Sequence, residues 1–77
     1  MHMIFDRKCT NYRGYIDDVD YHKKEFVAIL INQDENEHDV IETISFNRVP
    51  CFEWDRIRHM ADIEVKIYED DIIIKFL

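Results

Sequence analysis

Asp17-Asp18-Asp20, followed by His22, is the densest group of ligating and proton-transferring side chains in the sequence. Carboxylates and an imidazole this close have the chemistry for a divalent cation or for acid/base work. Alternation along an extended chain sends Asp17 to the opposite face from Asp18 and Asp20, so the three converge only if the strand bulges. A solvated strand end is the expected role. Zinc would draw four ligands from Cys9, Cys51, His22, His38 and His59. None of these forms a C-x-x-C or H-x-x-x-H pair. Cys51 and His59, placed on one helix, lie about 80° and two turns apart, too far for a nucleophile and its base. The sequence therefore predicts no metal, no cofactor and no catalytic residue.

Binding chemistry is the other possibility. Tyr12, Tyr15 and Tyr21 invite comparison with the base-stacking platforms of OB folds. Such platforms sit in basic grooves, because phosphate neutralisation supplies much of the affinity. Here Arg13 faces Asp17, Asp18 and Asp20, and the 77 residues carry 17 acids against 10 Lys plus Arg, a net charge of −7. The acids are unevenly placed. Asp34, Glu35, Glu37 and Asp39 fall in one polar stretch, and Glu69, Asp70 and Asp71 in a late turn. In an up-and-down strand order both turns lie at one end, opposite the helical segment, and make a negative pole, which either is a solvated end that keeps the domain soluble or steers a basic partner.

The elements that position these groups follow from the apolar residues. Twelve Ile and five Val stand against two Leu and two Ala, with ten aromatics, a composition that suits pleated strands better than helices. Residues 1–11 read as a tail or a short extra strand. From Tyr12 the chain alternates, with Tyr12, Gly14 and Ile16 on one side and Tyr15, Asp17 and Val19 on the other. Asp20 to Glu25 offers a hairpin turn. Phe26 to Ile31 is apolar on both faces, as in a strand covered on two sides. Residues 32–39 form a loop, and Val40, Glu42, Ile44 and Phe46 then share one face.

At Pro50 the period changes. Cys51, Trp54, Ile57 and Met60 or Ala61 make one stripe of a short helix. Pro50 suits its first turn, and Glu53–Arg56 and Asp55–Arg58 are i,i+3 pairs within it. Ile63, Val65 and Ile67 alternate in a fourth strand, and Ile72–Leu77 make a fifth with apolar residues on both faces. That last strand either sits inside a closed barrel or pairs with another chain, with a homodimer through Ile72–Leu77 among the options. Three strands, a short helix and two strands predict one all-β domain over residues 1–77, a small five- to six-stranded SH3-like or OB-like barrel. An open sheet with the helix across one face is the alternative.

Val19-Asp20, then Phe26, Ala28 and Leu30, then Ile41 and Ile44, then Val49 resemble the pattern of a loose group of small bacterial β-barrel proteins of unassigned function. The resemblance spans residues 14–68 and implies a fold without a chemistry. Size and acidity then predict a non-enzymatic module that binds another protein with a basic surface. Antitoxin-, inhibitor- or accessory-like roles in bacteria or phages fit, and so does mimicry of a nucleic acid by carboxylates. The competing expectation is an OB-like or SH3-like nucleic-acid-binding domain with a local basic face from Arg7, Lys8, Arg13, Arg48, Arg56 and Arg58. No basic-then-apolar leader opens the sequence and no membrane partner is expected, which predicts a cytoplasmic location.

Overall fold

A computed structural model describes residues 9–32 and 39–77. Five strands form one antiparallel sheet: β1 (Cys9–Asp20), β2 (Glu25–Asn32), β3 (Asp39–Ser45), β4 (Asp62–Tyr68) and β5 (Ile72–Phe76). Their lateral order is β3-β2-β1-β4-β5. The first three strands are therefore a meander, but the chain then crosses to the far side of β1 to lay down the β4–β5 hairpin. A simple up-and-down order does not hold.

β1 carries both halves. Its residues 12–20 pair with β2 and its residues 9–15 with β4. Residues 9–11, in the segment expected as a tail or a short extra strand, belong to β1, with Cys9 opposite Tyr68 and Asn11 opposite Lys66. Gly14 lies at the crossing. A Cβ there would collide with the Ile29 carbonyl oxygen across the ladder, so the residue without a side chain lets β1 and β2 close up as the sheet bends. Two residues later the register slips, because Ile16 faces Ala28 while Asp18 already faces Val27. Asp17 is the extra residue of a β-bulge. The bulge turns Val19 onto the core, whereas unbroken alternation would have placed it opposite Ile16.

One layer of side chains fills the concave face. Ile16, Phe26, Ala28, Leu30, Ile44, Ile63 and Val65 are buried there, with Phe46, Val49 and Ile57 from the connection between β3 and β4. That connection contains two 3-10 turns, Phe46–Arg48 and Cys51–Arg56, in place of the expected helix over residues 50–61. The apolar spacing of three at Cys51, Trp54 and Ile57 fits three residues per turn. Only Ile57 is buried, Trp54 is half-buried, and Cys51 and Met60 are exposed. The α-helix is pre-empted because Trp54 Nε1 donates to the carbonyls of Phe46 (3.0 Å) and Val49 (2.9 Å), tying the turn back to the end of β3. Beyond it, Met60 adopts φ 70° and donates its N–H to Ile16 at 2.7 Å, which forces the chain into β4. Of the expected pairs, Arg56 meets Glu53 at 3.8 Å, but Arg58 Nε donates to the Asp55 backbone carbonyl.

The sheet curls without closing. Among the described residues no ladder joins β3 to β5, so the closed barrel is corrected to an open, curled sheet. Both outer strands are short, seven and five residues, and the curl brings only the end of β3 towards the β4–β5 turn. There Arg48 reaches Asp71 at 3.5 Å, across a groove of about 440 Å³ lined by residues 42–45 and 67–72 together with Arg48.

Candidate interaction surface

β2 is not covered on two sides. Its inner residues Phe26, Ala28 and Leu30 are sealed, while Val27 and Ile29 on the outer face are half-buried and Ile31 is 40% exposed. Register places Ile29 between Ile41 of β3 and Tyr15 of β1. Ile41, at 68%, is among the most exposed large apolar side chains. Ile41, Ile29 and Tyr15 thus form an apolar row across three strands, with Ile31 and Val27 one step to either side. Cross-strand β-branched and aromatic neighbours of this kind stabilise a sheet by about 0.2–1 kcal/mol per pair. That local gain does not require Ile41 to stay in water.

The rim of the row is mostly acidic. Asp39 lies opposite Ile31, Asp18 opposite Val27 and Asp62 opposite Tyr15, with Arg13 as the cation beside Ile31. All four side chains belong to exposed residues. On the other half of the outer face charges replace the apolar residues, in the cross-strand pair Glu64–Lys75 and in Lys66 beside Ile73.

Of the first acidic stretch only Asp39 is placed, and it stands apart from Glu69, Asp70 and Asp71. Asp34, Glu35 and Glu37 lie outside the described residues. Asp39 opens β3, and at about 3.3 Å per residue it stands some 20 Å along the strand from Ser45. Glu69, Asp70 and Asp71 are exposed and border the groove at that far end. They sit beside Arg48 of the first 3-10 turn, not at the opposite end from it, because the curl folds the end of β3 over the β4–β5 turn. Glu42 lines the same groove. Asp71 also accepts the Ile72 N–H at 2.8 Å, which caps the start of β5.

The remaining sequence candidates disperse. Asp17, Asp18 and Asp20 are all exposed, and Asp20 Oδ1 is occupied by the N–H groups of His22 and Lys23, both at 3.0 Å, in the β1–β2 turn. Among the described residues no three His, Cys, Asp or Glu side chains are placed to hold a metal ion. Cys9 and Cys51 are free thiols. The tyrosines share no platform: Tyr12 packs on the core and Tyr15 lies on the outer face. Tyr21 stands edge-on to Phe46 and donates its hydroxyl to the Ile57 carbonyl at 3.1 Å.

The arginines of the expected basic face are mostly engaged. Arg48 and Arg56 meet acids, Arg58 bonds backbone, Arg13 stands opposite Glu64, and Arg7 and Lys8 lie outside the described residues.

Sequence reasoning missed the row Ile41–Ile29–Tyr15. Its signal is the doubly apolar run Phe26–Ile31, a pattern that fits a strand with a second covering layer equally well. No helix among the described residues is long and apolar enough to cross a membrane. Compared with family models, curated proteins and solved structures, the chain matches none of them.

Proposed function

We propose that this chain is a small, acidic, non-enzymatic module that binds another protein through the outer face of β1, β2 and β3. One observation carries the reading: the apolar row Ile41–Ile29–Tyr15, in which Ile41 is exposed and Ile29 and Tyr15 half-exposed, flanked by the exposed Ile31 and rimmed by Asp18, Asp39 and Asp62. Exposed apolar residues gathered on one face, with a polar rim, are the usual composition of a protein-binding patch. The acidic rim and the net charge of −7 favour a partner with a basic surface around an apolar centre. Inhibitor-, antitoxin- or accessory-like roles belong to this reading, as does the finer description of the fold as an SH3-like or OB-like barrel. Nucleic-acid binding has less support, because most of the described arginines are engaged with acids or with backbone.

The test compares the unmodified chain with Ile41→Asp in affinity capture at low and high salt, followed by titration of the captured protein. Ile41 is mostly in solvent, so the variant keeps its fold. The expected result is a discrete, salt-weakened partner whose affinity drops tenfold or more with Ile41→Asp. Equal binding by both chains, or preferential retention of oligonucleotides, contradicts the proposal.

A further inference from the structure

The free edge of β5 has a backbone phase that can be read from its hydrogen bonds. Leu77 N–H donates to Asp62 and Tyr68 N–H to Asp71, so the odd-numbered residues of β5 bond towards β4. In an antiparallel ladder the alternate residues then direct their N–H and C=O groups outward. These are Ile72, Ile74 and Phe76. Asp71 caps the Ile72 N–H, which leaves the edge groups of Ile74 and Phe76 without a strand beside them among the described residues. The side chains of Ile72, Ile74 and Phe76 pack against the core yet remain half-exposed. The row ends where a sixth strand would continue it.

We propose that this edge pairs with the β5 of a second copy, antiparallel, with Ile74 on the two-fold axis. The strand is self-complementary in that register. Ile72 meets the partner's Phe76 and Ile74 meets its own copy on the core face, so every contact there is apolar. On the outer face Lys75 lies opposite the partner's Ile73, with the partner's Asp71 and the partner's Lys75 as its two diagonal neighbours. A shift that centres Lys75 would set the two ammonium groups against each other. All the outward residues pair with outward residues, so each free N–H meets a carbonyl. Five residues make a short seam, and the dimer is expected to be weak, in the micromolar range or above. This surface is separate from the apolar row on β1–β3, and neither proposal depends on the other.

Charge reversal at Ile73 tests the register. The residue is 48% exposed on the outer face, so neither substitution disturbs the core. Sedimentation equilibrium from micromolar to millimolar protein is run on the unmodified chain, Ile73→Glu and Ile73→Lys, with circular dichroism to check the fold. The expected result is a monomer–dimer equilibrium that Ile73→Glu tightens severalfold, by facing Lys75 of the other copy, and Ile73→Lys loosens tenfold or more. A chain monomeric throughout the range overturns the proposal. So does a dimer that both variants weaken alike or leave unchanged, since its seam would then lie elsewhere. Ile74→Pro removes one outward N–H, and a dimer that persists undiminished in that variant is equally contradictory.

Discussion

β3 and β5 both end the same sheet, and they are protected very differently. β3 places a carboxylate, Glu42, on the core-facing side at the very edge, begins with Asp39 and shows Thr43 to solvent. A charge pointing inward at an edge repels any strand that would extend the core row. β5 has three isoleucines in succession and a single charge, Lys75, on its outer face. Only its first N–H is capped. The contrast teaches that one open sheet can carry a guarded edge and a receptive one, and that position relative to the core, more than charge count, makes the difference.

The largest perturbation should abolish the contrast by removing the sheet itself. Gly14→Val drives a branched side chain into the Ile29 carbonyl at the crossing of β1 and β2, on the strand that joins both halves. A loss of about 3 kcal/mol or more is expected, with both edges losing protection together, measured by chemical denaturation. Next, Trp54→Ala removes the half-buried ring and the indole N–H that ties the 3-10 turn to the end of β3. A cost of about 2 kcal/mol is expected, less than for a fully buried Trp, and hydrogen exchange should rise more in β3 than in β4 or β5.

A smaller change should make the guarded edge resemble the receptive one. Glu42→Ile alters stability by less than about 1 kcal/mol, but light scattering should show new self-association that the unmodified β3 does not support. The smallest effect is expected for Arg48→Met. The Arg48–Asp71 pair links the two edges, yet both side chains are about half exposed, and such pairs contribute about 0–1 kcal/mol. A stability change within about 0.5 kcal/mol, the same at low and high salt, would confirm that core packing and not this ion pair maintains the curl.

Much of this organisation is legible in residue order. The composition rich in Ile and Val points to strands, the alternations at Val40–Phe46 and Ile63–Ile67 place the right residues inward, and Pro50 marks the change of period. What escaped were the places where one local event re-aims the chain. A bulge at Asp17 leaves no mark in an alternating pattern except that Val19 must find the core. The spacing of Cys51, Trp54 and Ile57 satisfies an α-helix and a 3-10 turn equally, and what ties down the 3-10 turn is a side-chain donor, Trp54 Nε1, reaching carbonyls five and eight residues earlier. The curl that brings Glu69–Asp71 beside Arg48 joins residues far apart in the chain, a tertiary relation that residue order does not show. For the interaction surface, the apolar outer residues of β2 were visible, but their exposure was not, because a strand buried on both faces and one awaiting a partner share the same sequence.

Residue-resolved amide hydrogen exchange at low and high protein concentration tests the unequal edges most directly. The Ile74 and Phe76 amides are expected to exchange freely when dilute and to slow as concentration rises, while those of Ile41 and Thr43, which the Phe46–Lys24 bond places on the unpaired side of β3, stay fast at both. Concentration-dependent protection of β3, or none at β5, would contradict this expectation.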